Sequence, residues 1–358
     1  MPLLSSKTLW MKSGRWDKLD SDMFRLVDRT GKAFCLQPTA EEMITQVVAQ
    51  KGGLRRSVFP LMLYQTTTKY RDEMNPRFGL LRSREFLMND LYSFDISEED
   101  AVQTYGVISE IYDKVLRQNL ELNVYKVRAD CGMIGGEVSH EYHVRNESGE
   151  DIIKYCHRCR QGINAELSRK RAKVCDTCLP DSGQVEEISS IEIGHTFQLG
   201  NVYSSALGAV FHGCPLIMNC FGLGVGRIIA ATVDLFSPDH RSMRLPETIT
   251  PFRVAVIIPK EDPSLVRFAD SLVQQLSLLS NLKGDILVDD RVDLSFGKRL
   301  NLLADLGVPH ILVIGNLTRR SLVGQPLVEY FRTELCKSAT IQMGHLTHSE
   351  LFDVMSRL

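Results

Sequence analysis

No apolar run in these 358 residues approaches the roughly 20 that a membrane span needs. The first residues carry neither the apolar stretch of a signal peptide nor the Arg- and Ser-rich amphipathic pattern of a transit sequence. Charge of one sign is also lacking, since 42 basic residues face 44 acidic ones for a formal balance of −2. Overall charge therefore announces no nucleic-acid partner. Any RNA contact must come from local patches such as Arg55-Arg56, Arg169-Lys170-Arg171 or Arg319-Arg320, each equally readable as solvated surface. The Gly-rich run Cys131–Gly136 lacks GxGxxG spacing and no helix signal follows it, which excludes a phosphate loop there; it is expected to place backbone near a site. Nine cysteines are present, but Cys35, Cys131, Cys214, Cys220 and Cys336 are scattered, so reduced thiols fit better than disulfides. With 44% hydrophobic and 24% charged residues the composition is that of a globular chain, long enough for roughly two domains.

What is there concentrates first in residues 64–94. Two alternating runs flank a turn-rich centre, Asn75-Pro76-Arg77-Phe78-Gly79, and predict a long antiparallel hairpin. Its arms carry Arg71 and Glu73 outward, then Arg82, Glu85 and Phe86 on the return. Guanidinium forks match phosphate oxygens, an aromatic face suits a base, and a carboxylate accepts from an amino group. The same residues would also make a charged solvated hairpin. A second cluster is Gly222-x-Gly-x-Gly226-Arg227 ahead of the helical run IIAATVDLF, where glycines let backbone approach a ligand and an Arg projects from the helix start. The third is Cys156-x-x-Cys159, fifteen residues, then Cys175-x-x-Cys178, the spacing of a closed four-thiolate structural zinc site.

Other elements are read more coarsely. Residues 24–38 predict two strands, and Thr39 with Glu42 a capping box opening a helix, which leaves Glu41 free. Ser13–Trp16 reads as a loop. Ser97 starts a helix to about Leu120 whose Val102, Tyr105, Ile108, Tyr112, Val115 and Leu116 are core, and residues 123–128 form a strand. His140 and His143 are read as structural. Residues 188–204 predict two strands around a turn at Leu199-Gly200-Asn201, carrying His195, which is either a core histidine or a site residue. After a Pro-rich linker, strands and helices alternate as βαβαβ with a mostly parallel sheet, and Thr347 with Glu350 caps a final helix.

Tyr70-Arg71-Asp72-Glu73 followed by Arg82-x-x-x-Phe86 resembles motif 2 of the class II aminoacyl-tRNA synthetases, and KYRDE…RFGLLRSREFLMNDLYSF is similar to the prolyl enzymes of the bacterial and organellar type (class IIa). Gly222–Arg227 resembles motif 3. The opening MPLLSSKTLWMKSGRWDKL is similar to the end of motif 1, with Pro2 at the motif proline; the helix ahead of it is missing, so a truncated chain is expected.

The resemblance implies an α+β fold. A class II antiparallel sheet core with flanking helices would occupy residues 1–237, including a zinc-knuckle-like segment at 155–180. A linker at 238–251 and an α/β anticodon-binding domain at 252–358 would follow. It implies proline activation by ATP with Mg2+, then transfer to the 3′ end of tRNA(Pro). Arg71 and Arg227 would be catalytic, and Arg71, Glu73, Arg82, Phe86 and Arg227 would hold ATP. Thr39, Glu41, Met88, Asp90, Tyr92, His195 and Cys220 would line the proline pocket, although Cys220 is equally readable as core. Asp290, Arg291 and Lys298 would lie where the anticodon is read. It further implies a homodimer in the full-length form and a mitochondrial matrix location, or the cytoplasm if the source is bacterial. No large editing insertion separates motifs 2 and 3, so cleavage of mischarged tRNA in cis is expected to be absent. Two other readings remain: another class IIa synthetase such as the threonyl enzyme, whose catalytic zinc needs a histidine-containing site, or a non-catalytic synthetase-like accessory protein.

Overall fold

The computed structural model describes residues 1–77, 79–169, 173–174, 178, 185–259 and 262–358. It falls into two units, Met1–Ala231 and Thr232–Leu358. In the first, strands β1 (Leu4–Ser6), β2 (Arg25–Val27) and β3 (Ala33–Leu36) form a small antiparallel sheet in the order β1-β3-β2. Between β1 and β2 lie two short helices, α1 (Lys7–Ser13) and α2 (Arg15–Lys18), hinged at Gly14, so Ser13–Trp16, expected to be a loop, is instead the end of one helix, a turn and the start of the other. Gly14 has φ +73°, a left-handed conformation that glycine adopts without a Cβ penalty. The turn buries Trp10 and Trp16 with Leu19, Met23 and Cys35. That burial is the physical reason for helix here.

Helix α3 (Glu41–Lys51) starts one residue later than a Thr39 cap would place it, with Ala40 at the N-cap and no side-chain cap. The expected capping box does not form, because the Thr39 hydroxyl turns to the Glu41 carboxylate.

The core of this unit is an eight-stranded sheet. Its strands are β4 (Leu61–Tyr70), β5 (Glu85–Asp95), β6 (Val124–Arg128), β7 (Val138–Arg145), β8 (Asp151–Cys156), β9 (Gln161–Asn164), β10 (Val185–Gly200) and a return strand (Ile217–Gly224) that becomes β13 once the short pair β11 (Val210–Phe211) and β12 (Cys214–Pro215) is counted. The order is β4-β5-β13-β10-β7-β6-β9-β8, antiparallel except for β6 against β9. The predicted hairpin is β4 with β5, and Phe78 at its turn lies outside the described residues. After the short helix α5 (Ala165–Arg169), the segment 188–204 is one long strand, β10, and then helix α6 (Val202–Leu207), not two strands; Tyr203, Ser204 and Leu207 bury at helical spacing.

Helix α4 (Glu98–Asp113) packs Tyr105, Ile108 and Tyr112 inward, with Leu116 in the π-helical turn that continues it, whereas Val102 is exposed and Val115 borders on exposure. His140 bonds the Tyr105 hydroxyl and is held near pKa 4 by burial and then by Lys126. His143 is buried between Glu141 and Ser190.

The second unit is a five-stranded mixed sheet in the order β15-β14-β16-β17-β18: β14 (Val254–Ile257), β15 (Ile286–Asp289), β16 (His310–Val313), β17 (Leu327–Arg332) and β18 (Ile341–Thr347). The first three run parallel, as the alternating strand and helix signals predict, and β17 and β18 add an antiparallel edge that those signals did not disclose. Asp262 caps α8 (Pro263–Leu276), Ser295 caps α9 (Phe296–Asp305), and Thr347 caps the final helix in a reciprocal box with Glu350.

One loop ties this frame to the cavity described below. Gly136 sits against β10 with φ +102°, and a Cβ there would stand 2.3 Å from the Gln198 carbonyl oxygen. Gly136→Ala is expected to lower stability by roughly 2–4 kcal/mol, strain and clash together. Urea denaturation followed by circular dichroism measures it.

Candidate active site

In a sheet, residues two apart share a face, and register decides which side chains meet. Here the pairings Gln65 with Asp90, Asp90 with Gly222, Gly222 with His195 and His195 with Glu141 align one transverse row across β4, β5, β13, β10 and β7. The next row runs Leu63, Tyr92, Cys220, Phe197, Ser139. Gly222 and Gly224 on β13 leave the middle of this floor low. Above it lies a cavity of about 520 Å3. Every residue expected for nucleotide or amino acid lines it: Thr39, Glu41, Arg71, Glu73, Arg82, Phe86, Met88, Asp90, Tyr92, His195, Cys220 and Arg227. Cys131 to Ile134 close one side, as expected of a loop that places backbone near a site.

At one end the cavity is cationic. Arg71 lies over the Phe86 ring, 5.1 Å to the centroid, and makes no side-chain ion pair among the described residues. Burial and then Arg227 lower its pKa. Arg82 donates from Nε to Glu73, 2.9 Å, and from Nη1 to Glu150. Arg227, in the first turn of α7 (Val225–Phe236), donates from Nε to the Leu81 carbonyl at 2.8 Å and from Nη1 to Glu192 Oε2 at 3.1 Å. Glu192 was not foreseen. It stands beside a register shift in β10, which brings its carboxylate beside Arg227 and 3.2 Å from His195 Nδ1. Burial opposes its charge, and His195 and Arg227 more than reverse this, holding its carboxyl well below the usual range. His195 stacks on Phe197, centroids 4.0 Å apart, and lines the cavity with part of its surface exposed rather than being buried in the core. Gln198 does not line the cavity.

At the other end the floor carries two buried carboxylates, each pinned by a buried cation. Asp90 accepts from Lys69 Nζ at 2.9 Å and from Gln65 at 2.8 Å, and Lys69 is fully buried. Glu41 is not free, as the capping-box reading had it. It accepts from Arg15 Nη1 at 3.1 Å and from the Thr39 hydroxyl at 2.6 Å, with the Cys220 thiol 3.4 Å away. Burial works against the Glu41 charge, and Arg15 and Thr39 outweigh it, so its carboxyl titrates below the ordinary value. Burial, then Glu41, push the Cys220 thiol and the Tyr92 phenol far up, keeping both protonated. Tyr92 also accepts from the Ala40 N–H at 3.2 Å. Arg15 and Lys69 were both missed. For Lys69 the sequence signal was a cation within an alternating strand; Arg15, among Lys12, Ser13, Asp17 and Lys18, carried none.

Two further groups sit elsewhere. Cys156, Cys159 and Cys178 bring their sulfurs within 4.8 Å of one another, and Cys175 lies outside the described residues. Zn–S bonds of about 2.3 Å in a tetrahedron require sulfurs about 3.8 Å apart. The Cys156–Cys178 separation of 3.8 Å meets that. In the second unit, Asp290 is exposed, Lys298 lies exposed in the first turn of α9 (Phe296–Asp305), and Arg291 folds onto Asp289, Nη2 to Oδ2 2.7 Å. Asp289, held also by buried Arg299, organises this corner; the sequence pointed to its neighbour.

A cavity lined by motif 2 and motif 3 arginines over an antiparallel sheet defines a class II aminoacyl-tRNA synthetase core, and residues 24–236 match the tRNA synthetase class II core domain (G, H, P, S and T). The chain is 42% identical over 323 residues to a probable mitochondrial proline--tRNA ligase of Rattus norvegicus, covering 87% of this chain and 67% of that one. It is 34% identical over 345 residues to a proline--tRNA ligase of Ehrlichia canis, covering 92% and 78%. This chain belongs to the proline--tRNA ligases. Its fold is similar to that of the Giardia lamblia prolyl-tRNA synthetase in complex with prolyl-adenylate, with TM-score 0.75 at 18% identity, over 98% of this chain and 63% of that one. The chain thus spans roughly two thirds of the length of the rat and Giardia relatives and somewhat more of the Ehrlichia one.

Lys69→Met strands Asp90 as an uncompensated buried charge and is expected to cost about 3–5 kcal/mol, with Lys69→Met/Asp90→Leu recovering most of it. Chemical denaturation of the two variants beside wild type checks both outcomes.

Proposed function

We propose that the chain activates proline with ATP to prolyl-adenylate and transfers it to the 3′-terminal ribose of tRNA(Pro). The observation that carries this reading is the cavity's polarity, with three arginines at one end and a buried, charged Glu41 at the other. A triphosphate fits the first and a secondary ammonium the second. The proline carboxylate attacks the α-phosphorus in line, and pyrophosphate leaves. Arg71, without a carboxylate partner among the described residues, offsets charge at the α-phosphate. Arg82 and Arg227 hold the outer phosphates once their carboxylate contacts are exchanged for phosphate oxygens. Phe86 stacks on the adenine and Glu73 accepts from its amino group. Thr39 and Glu41 face the ammonium, and Met88, Asp90, Tyr92, His195 and Cys220 shape the ring's pocket. Binding both substrates in one cavity supplies the proximity that the displacement needs.

Glu192 and Glu141, whose oxygens reach within 4.8 Å of each other and of His195, would hold the Mg2+ that travels with ATP, a charge that neutralises phosphate oxygens. Cys156, Cys159, Cys175 and Cys178 would hold a structural Zn2+. We assign residues 1–237 to catalysis, 238–251 to a linker and 252–358 to anticodon binding, with Asp290, Arg291 and Lys298 at the RNA-facing corner. The full-length form would be a homodimer, and the mitochondrial naming of several relatives supports the matrix as its location.

Proline-dependent exchange of pyrophosphate into ATP, run beside other amino acids, tests the reading; exchange with none of them, from chain that binds ATP, would overturn it. Arg227→Ala is expected to lower the exchange rate by about 10²–10³-fold. Cys156→Ser is expected to lose bound zinc, measured by atomic emission on purified protein, and to lower thermal stability.

A further inference from the structure

Arg15 enters the floor of the cavity from the turn at Gly14, is 4% exposed, and uses one nitrogen for two carboxylates. Nη1 lies 3.1 Å from Glu41 Oε2 and 3.1 and 3.2 Å from the two oxygens of Glu42. The guanidinium lies over both Trp10 and Tyr203, 5.0 and 5.6 Å from their ring centroids, and its Nε has no hydrogen-bond partner among the described residues. Such a group is held by aromatic faces and by charge, at the cost of one orphaned donor.

We propose that Arg15 is a positioning residue for Glu41, fixing its carboxylate toward the cavity and keeping it charged for the substrate's ammonium. This rests on the proline-activating reading above. Two carboxylates share one guanidinium in a water-poor place, so the cluster is one cation short, and burying the second negative charge alone is costly. Position decides which carboxylate bears the charge. Glu41 lines the cavity and receives Thr39 as well, whereas Glu42 does not line it and is bonded by Ser13 and Arg15. Burial raises the Glu42 carboxyl, Arg15 only partly opposes it and neighbouring Glu41 adds to it. Glu42 is therefore the more readily protonated of the two and Glu41 the one favoured in the ionised form, and the incoming ammonium is the missing cation. The groups facing Glu41 from every packed element are Arg15, Glu42, Tyr92, Tyr203, Cys220 and, across the cavity, Arg71.

The sign of the pH effect follows. With Arg15, Glu41 titrates below its ordinary value, so its contribution to substrate binding is complete at neutral pH and fades only as the medium becomes acid. Without Arg15, the Thr39 hydroxyl opposes burial with the largest favourable charge gone, and the carboxyl rises. Arg15→Met is expected to raise the KM for proline by roughly 10–100-fold, leave the KM for ATP within about twofold, and move the acid limb of kcat/KM for proline to higher pH. Arg15→Lys keeps the charge and is expected to retain the wild-type limb. A purely structural role would lower the folded fraction without moving that limb.

Should Arg15→Met fail to fold, Glu42→Gln decides, with a proline KM expected within about threefold of wild type; a tenfold rise would show that Glu42 carries the charge and overturn the proposal. Side-chain carboxyl NMR, with Glu41→Gln and Glu42→Gln for assignment, reads the two protonation states without substrate. Absence of proline-dependent exchange in wild type would remove the functional reading, and the titration would still decide the part played by Arg15. A folded Arg15→Met with an unshifted Glu41 titration and unchanged proline KM would refute it.

Discussion

The register of five strands is the constraint on which the site depends. Because side chains alternate faces along a strand, a slip of β13 by one residue against β5 would turn Cys220 and Gly222 away from the cavity that Asp90 and Tyr92 face. Eight consecutive pairs from Ile217 with Asp95 to Gly224 with Met88 resist that slip, and the long hairpin fixes the other side of β5, where Leu63 and Tyr92, Gln65 and Asp90, Lys69 and Phe86 are paired. Glycine on β13 lowers the floor, and the irregularity in β10 beside Glu192 re-aims one acidic side chain toward the arginines. A regular sheet of the same strands would present His195 but would not aim the acid next to Arg227.

Upon that frame the charges are placed in pairs. Lys69 under Asp90, Arg15 under Glu41 and Glu192 beside Arg227 each set a charged group of the cavity wall with a partner of the opposite sign. Buried ion pairs contribute little net stability against their desolvation, so their presence here is better understood as orientation. A carboxylate bonded from below has only its remaining lone pairs to offer above. The arginines at the cationic end are arranged differently: Arg82 and Arg227 rest on carboxylates and carbonyls that an anionic ligand can replace, and Arg71 rests on an aromatic ring.

Much of this was legible in the residues. The hairpin, the Gly-rich strand ahead of Arg227, the paired cysteines and the C-terminal helix caps are local signals, each set by residues close together in sequence. What could not be read depends on distant partners. Arg15 looked like part of a loop because the faces that hold it, Trp10 and Tyr203, are almost two hundred residues apart and only the fold brings them together. Thr39 with Glu42 satisfied a capping rule on paper, yet the carboxylate beside it offered the hydroxyl a stronger, charged acceptor. The helix after Gly200 was taken for strand because VYSSAL has weak helical propensity, and burial of Tyr203 and Leu207 overrides that. The antiparallel edge formed by β17 and β18 closes a sheet whose first three strands carry the clearer parallel pattern.

The central claim is that one cavity seats both substrates, the ammonium at Glu41 and the triphosphate at the arginines. A crystal structure of the chain with proline and a non-hydrolysable ATP analogue tests it most directly. The account predicts the proline nitrogen within hydrogen-bond reach of Glu41 and Thr39, and phosphate oxygens on Arg71, Arg82 and Arg227. Proline bound away from Glu41, or a nucleotide seated with its phosphates clear of those arginines, would contradict it.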